Sequence, residues 1–411
     1  MANLRASTKV IVVGGGGTMG SSTALHLLRS GYTPSNITIL DVYPIPSAQS
    51  AGHDLNKIMS IRLRNAPDLW HEEGIASLRQ KYQSLLDAGI GLEKTNFWLD
   101  SEEEILEKAP QFTREQIKAS LSPGWKGLFC GDGGWLAAAK AINAIGEFLR
   151  EQGVTFGFGG AGTFKRPLFA ADGLTCIGVE TTNGSQYFAD KVVLAAGAWS
   201  PTLIDLEGQC VSKAWVFAHI QLTPEEAAEY KNAPVVYDGE YGFFFEPNEY
   251  GVIKVCDEFP GFSRFKEHQP YGASSPKLIS VPRSHAKHPT DTYPDASEKS
   301  IRKAIARFLP RFTNKGLFNR SMCWCTDTAD ANLLICQHPR WKNLILATGD
   351  SGFKLLPNIG KHIVELLEGS LSQELAREWR WRPGGDALKS RRAAPAKDLV
   401  NMSGWNHDAK L

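Results

Sequence analysis

Apolar positions along the chain fall into three patterns. Lys9-Val10-Ile11-Val12-Val13 is an uninterrupted β-branched run, which predicts a strand buried on both faces. Ser21 to Ser30 carries Ala24, Leu25, Leu27 and Leu28 at helical spacing, and Ile37-Thr38-Ile39-Leu40-Asp41 reads as a second strand that ends in an acid. Further helices are predicted over 74–88, 101–109, 136–152, 296–308 and 359–367, and short apolar strands over 154–156, 175–179, 192–196, 333–336 and 344–348. From Ala214 the pattern turns to aromatic strands around Trp215, Val235, Tyr241 and Tyr250, separated by turns such as Asp238-Gly239 and Pro247-Asn248, which is the mark of an antiparallel sheet. Residues 56–64 fit a short helix or a strand equally well.

Between the first strand and the first helix stands Gly14-Gly15-Gly16-Gly17-Thr18-Met19-Gly20, in which Gly15, Gly17 and Gly20 fit G-x-G-x-x-G. In such a turn the first glycine makes the bend, the second admits a pyrophosphate, and the third packs helix on strand, with Thr18 and Met19 opening the helix. Asp41 lies 21 residues beyond Gly20, where a ribose-binding acid belongs, and its carboxylate would repel a 2′-phosphate. The unit therefore predicts FAD or NAD rather than NADP. The expected fold is α/β plus α+β. A Rossmann-type dinucleotide-binding domain is formed by 1–65, 125–210 and 316–370, and a substrate domain on an antiparallel sheet by 66–124 and 211–315. The tail 371–411 packs on the first domain.

Composition narrows the partners. A net charge of +1 over 411 residues gives no electrostatic footprint for nucleic acid or an acidic membrane, so a small-molecule protein is expected. No 18-residue apolar run and no secretory signal stands in the sequence, so no membrane span is expected. The seven cysteines are scattered without C-x-x-C spacing or nearby histidine pairs, so reduced thiols and no metal site are expected. Ala409-Lys410-Leu411 is close to the Ser-Lys-Leu address, which predicts recognition by the peroxisomal import receptor and a peroxisomal location, or otherwise a cytoplasmic one.

With these residues in view, the chain resembles the monomeric sarcosine oxidase group of flavin-dependent amine oxidases and, within it, the fungal fructosyl amino acid and fructosyl peptide oxidases, the amadoriases. The resemblance rests on residues 13–20, on Ser47 to Lys57, on Gly133-Gly134-Trp135-Leu136 and on Ala195-Ala196-Gly197-Ala198-Trp199-Ser200. Its most specific pieces are Gly251 to Glu258, Cys323-Trp324-Cys325-Thr326-Asp327-Thr328, and Ala347 to Lys354. It implies FAD bound covalently, through Cys323 as the first cysteine of Cys-Trp-Cys-Thr. Two residues apart on a strand, Cys323 and Cys325 share a face, so spacing alone does not choose between them.

The resemblance further implies that Lys254 stands over the flavin and favours the charge that develops when oxygen is reduced. Glu258 would meet sugar hydroxyls, Lys354 the substrate carboxylate, and Arg62 the mouth of the pocket. Ser47, Asn56, Lys57, Asp350, Gly352 and Phe353 would border the cofactor. The family carries two more residues between the equivalents of Gly352 and Phe353, and a longer segment around Trp70, than this chain does.

The implied activity is oxidation of a glycated secondary amine by oxygen, giving glucosone, free amino acid or peptide, and hydrogen peroxide, in a monomeric enzyme. Oxidation of sarcosine, pipecolate or saccharopine is the alternative within the class. A nicotinamide-dependent dehydrogenase is the alternative outside it.

Overall fold

The computed structural model describes residues 2–59, 72–89, 91–114, 127–238, 242–244, 246–349, 352–385, 387 and 396–405. Two six-stranded sheets organise them. In the first, the strands run in the order Leu334–Gln337, Leu344–Thr348, Lys191–Leu194, Val10–Val13, Ile37–Leu40 and Thr155–Gly157. All neighbours are parallel except the first pair.

The apolar run at 10–13 is explained by what covers it. Val10 and Val12 face helices Thr18–Arg29, Ala138–Glu151 and Ile359–Leu367, through Leu27, Ile142, Leu149 and Ile363. Ile11 and Val13 face the small antiparallel sheet that contains Phe164, Cys176 and Val179. A strand buried on both sides has no polar face to show.

The second sheet runs Val236–Asp238, Gly242–Phe244, Val252–Ser263, Cys210–Gln221 and Leu317–Thr328, all antiparallel, with Lys397–Asp398 paired to Val252–Ser263. Alternation divides its faces. Ala214, Val216, Ala218, Ile253, Val255 and Trp324 enter a core closed by helix Asp295–Phe308. Trp215, Phe217, His219, Lys254, Cys323 and Cys325 fall at the intervening positions of the same three strands. The register sets Lys254 opposite His219 and Cys323 opposite Trp215.

The residues around 56–64 begin as a strand, Lys57–Met59, paired with Gly134–Leu136. Residues 60–71, with Arg62 and Trp70, lie outside the described residues, as do Asp350 and 409–411. The proposed boundary at 316 falls just before Leu317–Thr328, and the hydrogen bonds of that strand belong to the antiparallel sheet rather than to the parallel one. The tail contributes to that sheet as well, through Lys397 and Asp398. Arg382 anchors the tail near the parallel sheet by a two-pronged contact to Asp330 at 2.8 Å. Among the described residues no helix is long and apolar enough to cross a membrane.

Candidate active site

A cavity of about 660 Å3 lies between the ends of the parallel strands and the non-core face of the antiparallel sheet. At its first end stands the glycine turn. The bend itself falls on Gly14, at φ +78°, one residue earlier than the motif spacing suggests. Gly20 plays the part expected of it, because a Cβ there would lie 2.4 Å from the Gly14 carbonyl oxygen, inside contact distance. Gly17 caps helix Thr18–Arg29 without any side-chain hydrogen bond, and Gly17, Thr18 and Met19 line the cavity. An uncapped first turn presents N–H groups and the positive end of the helix dipole, which suits a diphosphate.

Asp41 also lines the cavity, buried at the end of its strand. Its carboxylate accepts from Gly16 N at 2.9 Å and from the Ser47 hydroxyl at 2.6 Å. Burial raises its pKa, and those hydrogen bonds oppose the rise. Ser47, expected beside the cofactor, therefore orients Asp41 and lines the same wall.

At the other end the loop after Asp41 brings Asp54, Asn56 and Lys57 against the antiparallel sheet. Lys254, 2% exposed, reaches out of the Val252–Ser263 strand to form an ion pair with Asp54. It also donates to the Asn56 carbonyl at 3.3 Å and lies 4.7 Å from the centre of the Phe217 ring. Its flanks Ile253 and Val255 point into the opposite core, which is why a lysine is found within an apolar stretch.

Lys57 makes a second ion pair with the same Asp54 at 2.7 Å and donates to Cys323 Sγ at 3.4 Å. Burial alone would push the Asp54 carboxyl up, but the Lys254 and Lys57 ammonium groups hold it well below the usual carboxylate range. Burial opposes charge on Lys57, yet the Asp54 carboxylate and the Cys323 thiol raise its pKa well above that of an ordinary lysine.

Cys325 accepts from Trp215 Nε1 at 2.7 Å, and both cysteines line the cavity. Cys323 therefore has a cation beside its sulfur and Cys325 an indole N–H. Gly352, Phe353 and Lys354 border the same cavity from the turn after Leu344–Thr348. Glu258 belongs to the Val252–Ser263 strand, and its side chain, like Arg62 and Asp350, lies outside the described residues.

The residues present fit a flavin dinucleotide. Asn56 is fully buried on the cavity wall, and neither its amide nitrogen nor its amide oxygen has a partner among the described residues. A buried amide is ordinarily satisfied, so this one awaits a polar ligand. Uncapped helix, acid and orphaned amide lie on one continuous surface.

Asp54, Trp215 and His219 are members that the sequence did not single out. Trp215 and His219 stand two and six residues past Lys213 on one strand, so alternation alone could have grouped them with Lys254 once the pairing was known. Asp54 sits in an irregular loop and carried no signal beyond its closeness to Lys57.

Comparison with known proteins agrees with this geometry. Residues 9–366 match the family model described as DAO, FAD dependent oxidoreductase. A solved fructosyl peptide oxidase from E. terrenum is 77% identical, with a TM-score of 0.94 and 99% of each chain covered. The modified fructosyl peptide oxidase from Aspergillus nidulans in complex with FSA is 74% identical, with a TM-score of 0.93, covering 98% of this chain and 100% of that one. L-saccharopine oxidase of Schizosaccharomyces pombe is 32% identical over 413 residues, 91% of this chain and 93% of its own.

His219 carries a consequence for stability. Burial first, and then the Lys254 ammonium, push its pKa from 6.5 down to about 4. The folded state thus binds fewer protons than the unfolded chain between those values, so stability is complete above about pH 6.5 and falls as the pH drops toward 4. Between about pH 7.5 and about pH 5 this one group accounts for about 2 kcal/mol. Urea unfolding at the two values should show a smaller loss in His219→Gln than in the unaltered chain, and an equal loss would mean that other groups carry the dependence.

The cavity carries a glycine turn shaped for a diphosphate, a buried acid and a lysine cluster, and this chain belongs to the FAD dependent oxidoreductase family, in the group that holds the fructosyl peptide oxidases.

Proposed function

We propose that the chain oxidatively deglycates fructosyl amino acids or fructosyl peptides, yielding glucosone, the free amino acid or peptide, and hydrogen peroxide. The observation that carries this reading is the 77% identity to a fructosyl peptide oxidase over 99% of both chains. Within the family, the dependence on FAD removes the reading as a nicotinamide-dependent dehydrogenase. The balance is one glycated amine, one oxygen and one water in, and glucosone, amine and hydrogen peroxide out.

Bound FAD supplies the acceptor for two electrons from the amine's C–H bond and passes them to oxygen. The chain's own residues bind, orient and exclude water. Lys254, in a dry site and ion-paired to Asp54, offers a fixed positive charge where oxygen gains negative charge. Asp54 keeps Lys254 and Lys57 together against the repulsion of two like charges. The Lys57 ammonium stands 3.4 Å from the Cys323 sulfur, the atom that would bond to the flavin. Lys354 at the cavity wall would take the substrate carboxylate, Glu258 would meet the sugar hydroxyls, and Arg62 would stand at the mouth of the pocket. The chain would act as a monomer and enter peroxisomes by its Ala409-Lys410-Leu411 ending.

Saccharopine-type oxidation is the second reading, favoured by the 32% identical curated relative. A peroxide assay on fructosyl-valine, fructosyl-valyl-histidine, sarcosine, pipecolate and saccharopine should give turnover on the fructosyl amines at least about tenfold above the others, a difference of about 1.4 kcal/mol in transition-state binding. Faster turnover of saccharopine would replace the proposal.

Acid-precipitated Cys323→Ala protein should lose its flavin to the supernatant, while Cys325→Ala protein keeps it. The reverse pattern would move the attachment to Cys325. In stopped-flow traces Lys254→Met should slow reoxidation by oxygen by roughly two orders of magnitude and reduction by substrate far less, since charge grows beside that ammonium in the oxygen step. Equal slowing of both would make Lys254 a substrate-positioning residue.

A further inference from the structure

Strand Val252–Ser263 departs from regular pairing at one place. From Val252 to Asp257 it runs in unbroken register with Gln221 to Val216, and it rejoins Cys210–Gln221 only at Phe262, opposite Ala214. Glu258, Phe259, Pro260 and Gly261 therefore stand against the single residue Trp215. A bulge of this kind re-aims the chain, and a proline, which has no N–H for a ladder, is tolerated there. The bulge is held on both sides. Lys254, in the regular stretch, is tied to Asp54, while Phe262 and Ser263 pair with Lys397 and Asp398 of the tail. Lys254 and Arg264, before and after it in sequence, both line the cavity.

What stands against the bulge is the Trp215 indole. Gly261 has φ +76°, and a Cβ there would lie 2.4, 2.9 and 3.0 Å from three carbons of the six-membered ring, so a side chain at 261 and the indole exclude each other. Glycine is also the residue that adopts such a backbone at least cost. The other edge of the ring is pinned as well, because Nε1 donates to Cys325 Sγ at 2.7 Å on strand Leu317–Thr328. Trp215 is itself part of the cavity wall. One planar ring thus meets the bulge with its carbon edge and the cysteine strand with its N–H, and it keeps the two apart by its own width.

We infer that Trp215 is a positioning residue that sets where the Glu258–Gly261 bulge stands over the cavity, and with it the affinity for the sugar end of the substrate. The inference rests on the deglycation reading, in which Glu258 meets the sugar hydroxyls, and deepens it by naming what places that stretch of chain. The oxygen step lies apart from this device, because Lys254 belongs to the regular part of the strand and is held by Asp54. A displaced bulge therefore loses contacts that substrate and transition state share, and such a loss raises KM and leaves kcat.

Steady-state peroxide assays of the holoprotein on fructosyl-valine test this in Trp215→Phe, Gly261→Ala and the double variant. Phenylalanine keeps an aromatic ring but is shorter and has no N–H, so KM should rise about fivefold or more while kcat stays within about twofold. Gly261→Ala should act in the same way by pushing the indole aside. Added to Trp215→Phe, the alanine should raise KM by less than about twofold further, because the shorter ring no longer meets it, whereas the cost of its positive φ is equal in both backgrounds. Reoxidation by oxygen, followed by stopped flow, should be the same in all four proteins. A KM unchanged in Trp215→Phe, a kcat that falls as far as KM rises, or effects that simply multiply in the double variant overturn the inference and leave the deglycation reading standing. Trp215→Phe needs no strained backbone, so it decides the KM prediction even where Gly261→Ala does not fold. No turnover of fructosyl-valine by the unaltered chain removes the reading and this inference together.

Discussion

A single carboxylate shared by two lysines ties the molecule together. Asp54 belongs to the loop that leaves the parallel sheet, Lys254 to the antiparallel sheet, and Lys57 to the short strand between them. Each of the three is costly to bury alone, and together they form a net-positive cluster with little access to water. An apolar cluster of the same volume would hold the two sheets together equally well or better, since buried ion pairs seldom exceed their desolvation cost. The triad is therefore better understood by what it offers a ligand, a fixed cation on each side of one anion at the end of the cavity that holds Cys323.

That arrangement decides which neighbours matter. Lys254 is opposite His219 in the sheet, and His219 stays neutral because burial and the lysine both disfavour its proton. A charged imidazole there would be a third cation around one carboxylate. Phe217 supplies the aromatic face below the Lys254 ammonium, where a ring's negative face partly replaces lost hydration. The cysteines arrive on the next strand, whose other face is filled by Trp324 and the helical core, so their direction follows from the sheet rather than from the loop around them.

The two sheets are also joined through hydroxyls. The Thr348 hydroxyl donates to the Gly197 carbonyl and lies 3.3 Å from that of Thr326. The Ser212 hydroxyl donates to Ala198. These contacts hold the end of the parallel sheet against the strand that carries Cys325, so the distance from the glycine turn to the cysteines is set by packing. Buried hydroxyl bonds in a dry interior hold this spacing more strictly than surface contacts would.

Local pattern carried the parallel half of the fold. The apolar run at 10–13, the glycine turn, the helical spacing after Ser21 and the acid at 41 are all short-range signals, and each has its cause within about 30 residues. The antiparallel half was legible as strands, because aromatic and β-branched residues alternate there. Its pairing was not, and that Leu317–Thr328 pairs with Cys210–Gln221 became visible only in the sheet. The candidate site divides in the same way. Lys254, Cys323, Asn56, Lys57 and Lys354 were named through resemblance to a family. Asp54, separated from Lys254 by 200 residues of chain, had no periodicity and no motif to mark it. Which side of a strand meets which loop is a property of long-range contact, and such contacts follow from how whole faces are buried rather than from the residues next to them in sequence. The amino-acid sequence by itself determined the nucleotide-binding turn, the strands and their alternating faces. Only the tertiary structure decided that one aspartate would sit between two lysines, because that requires two sheets already packed.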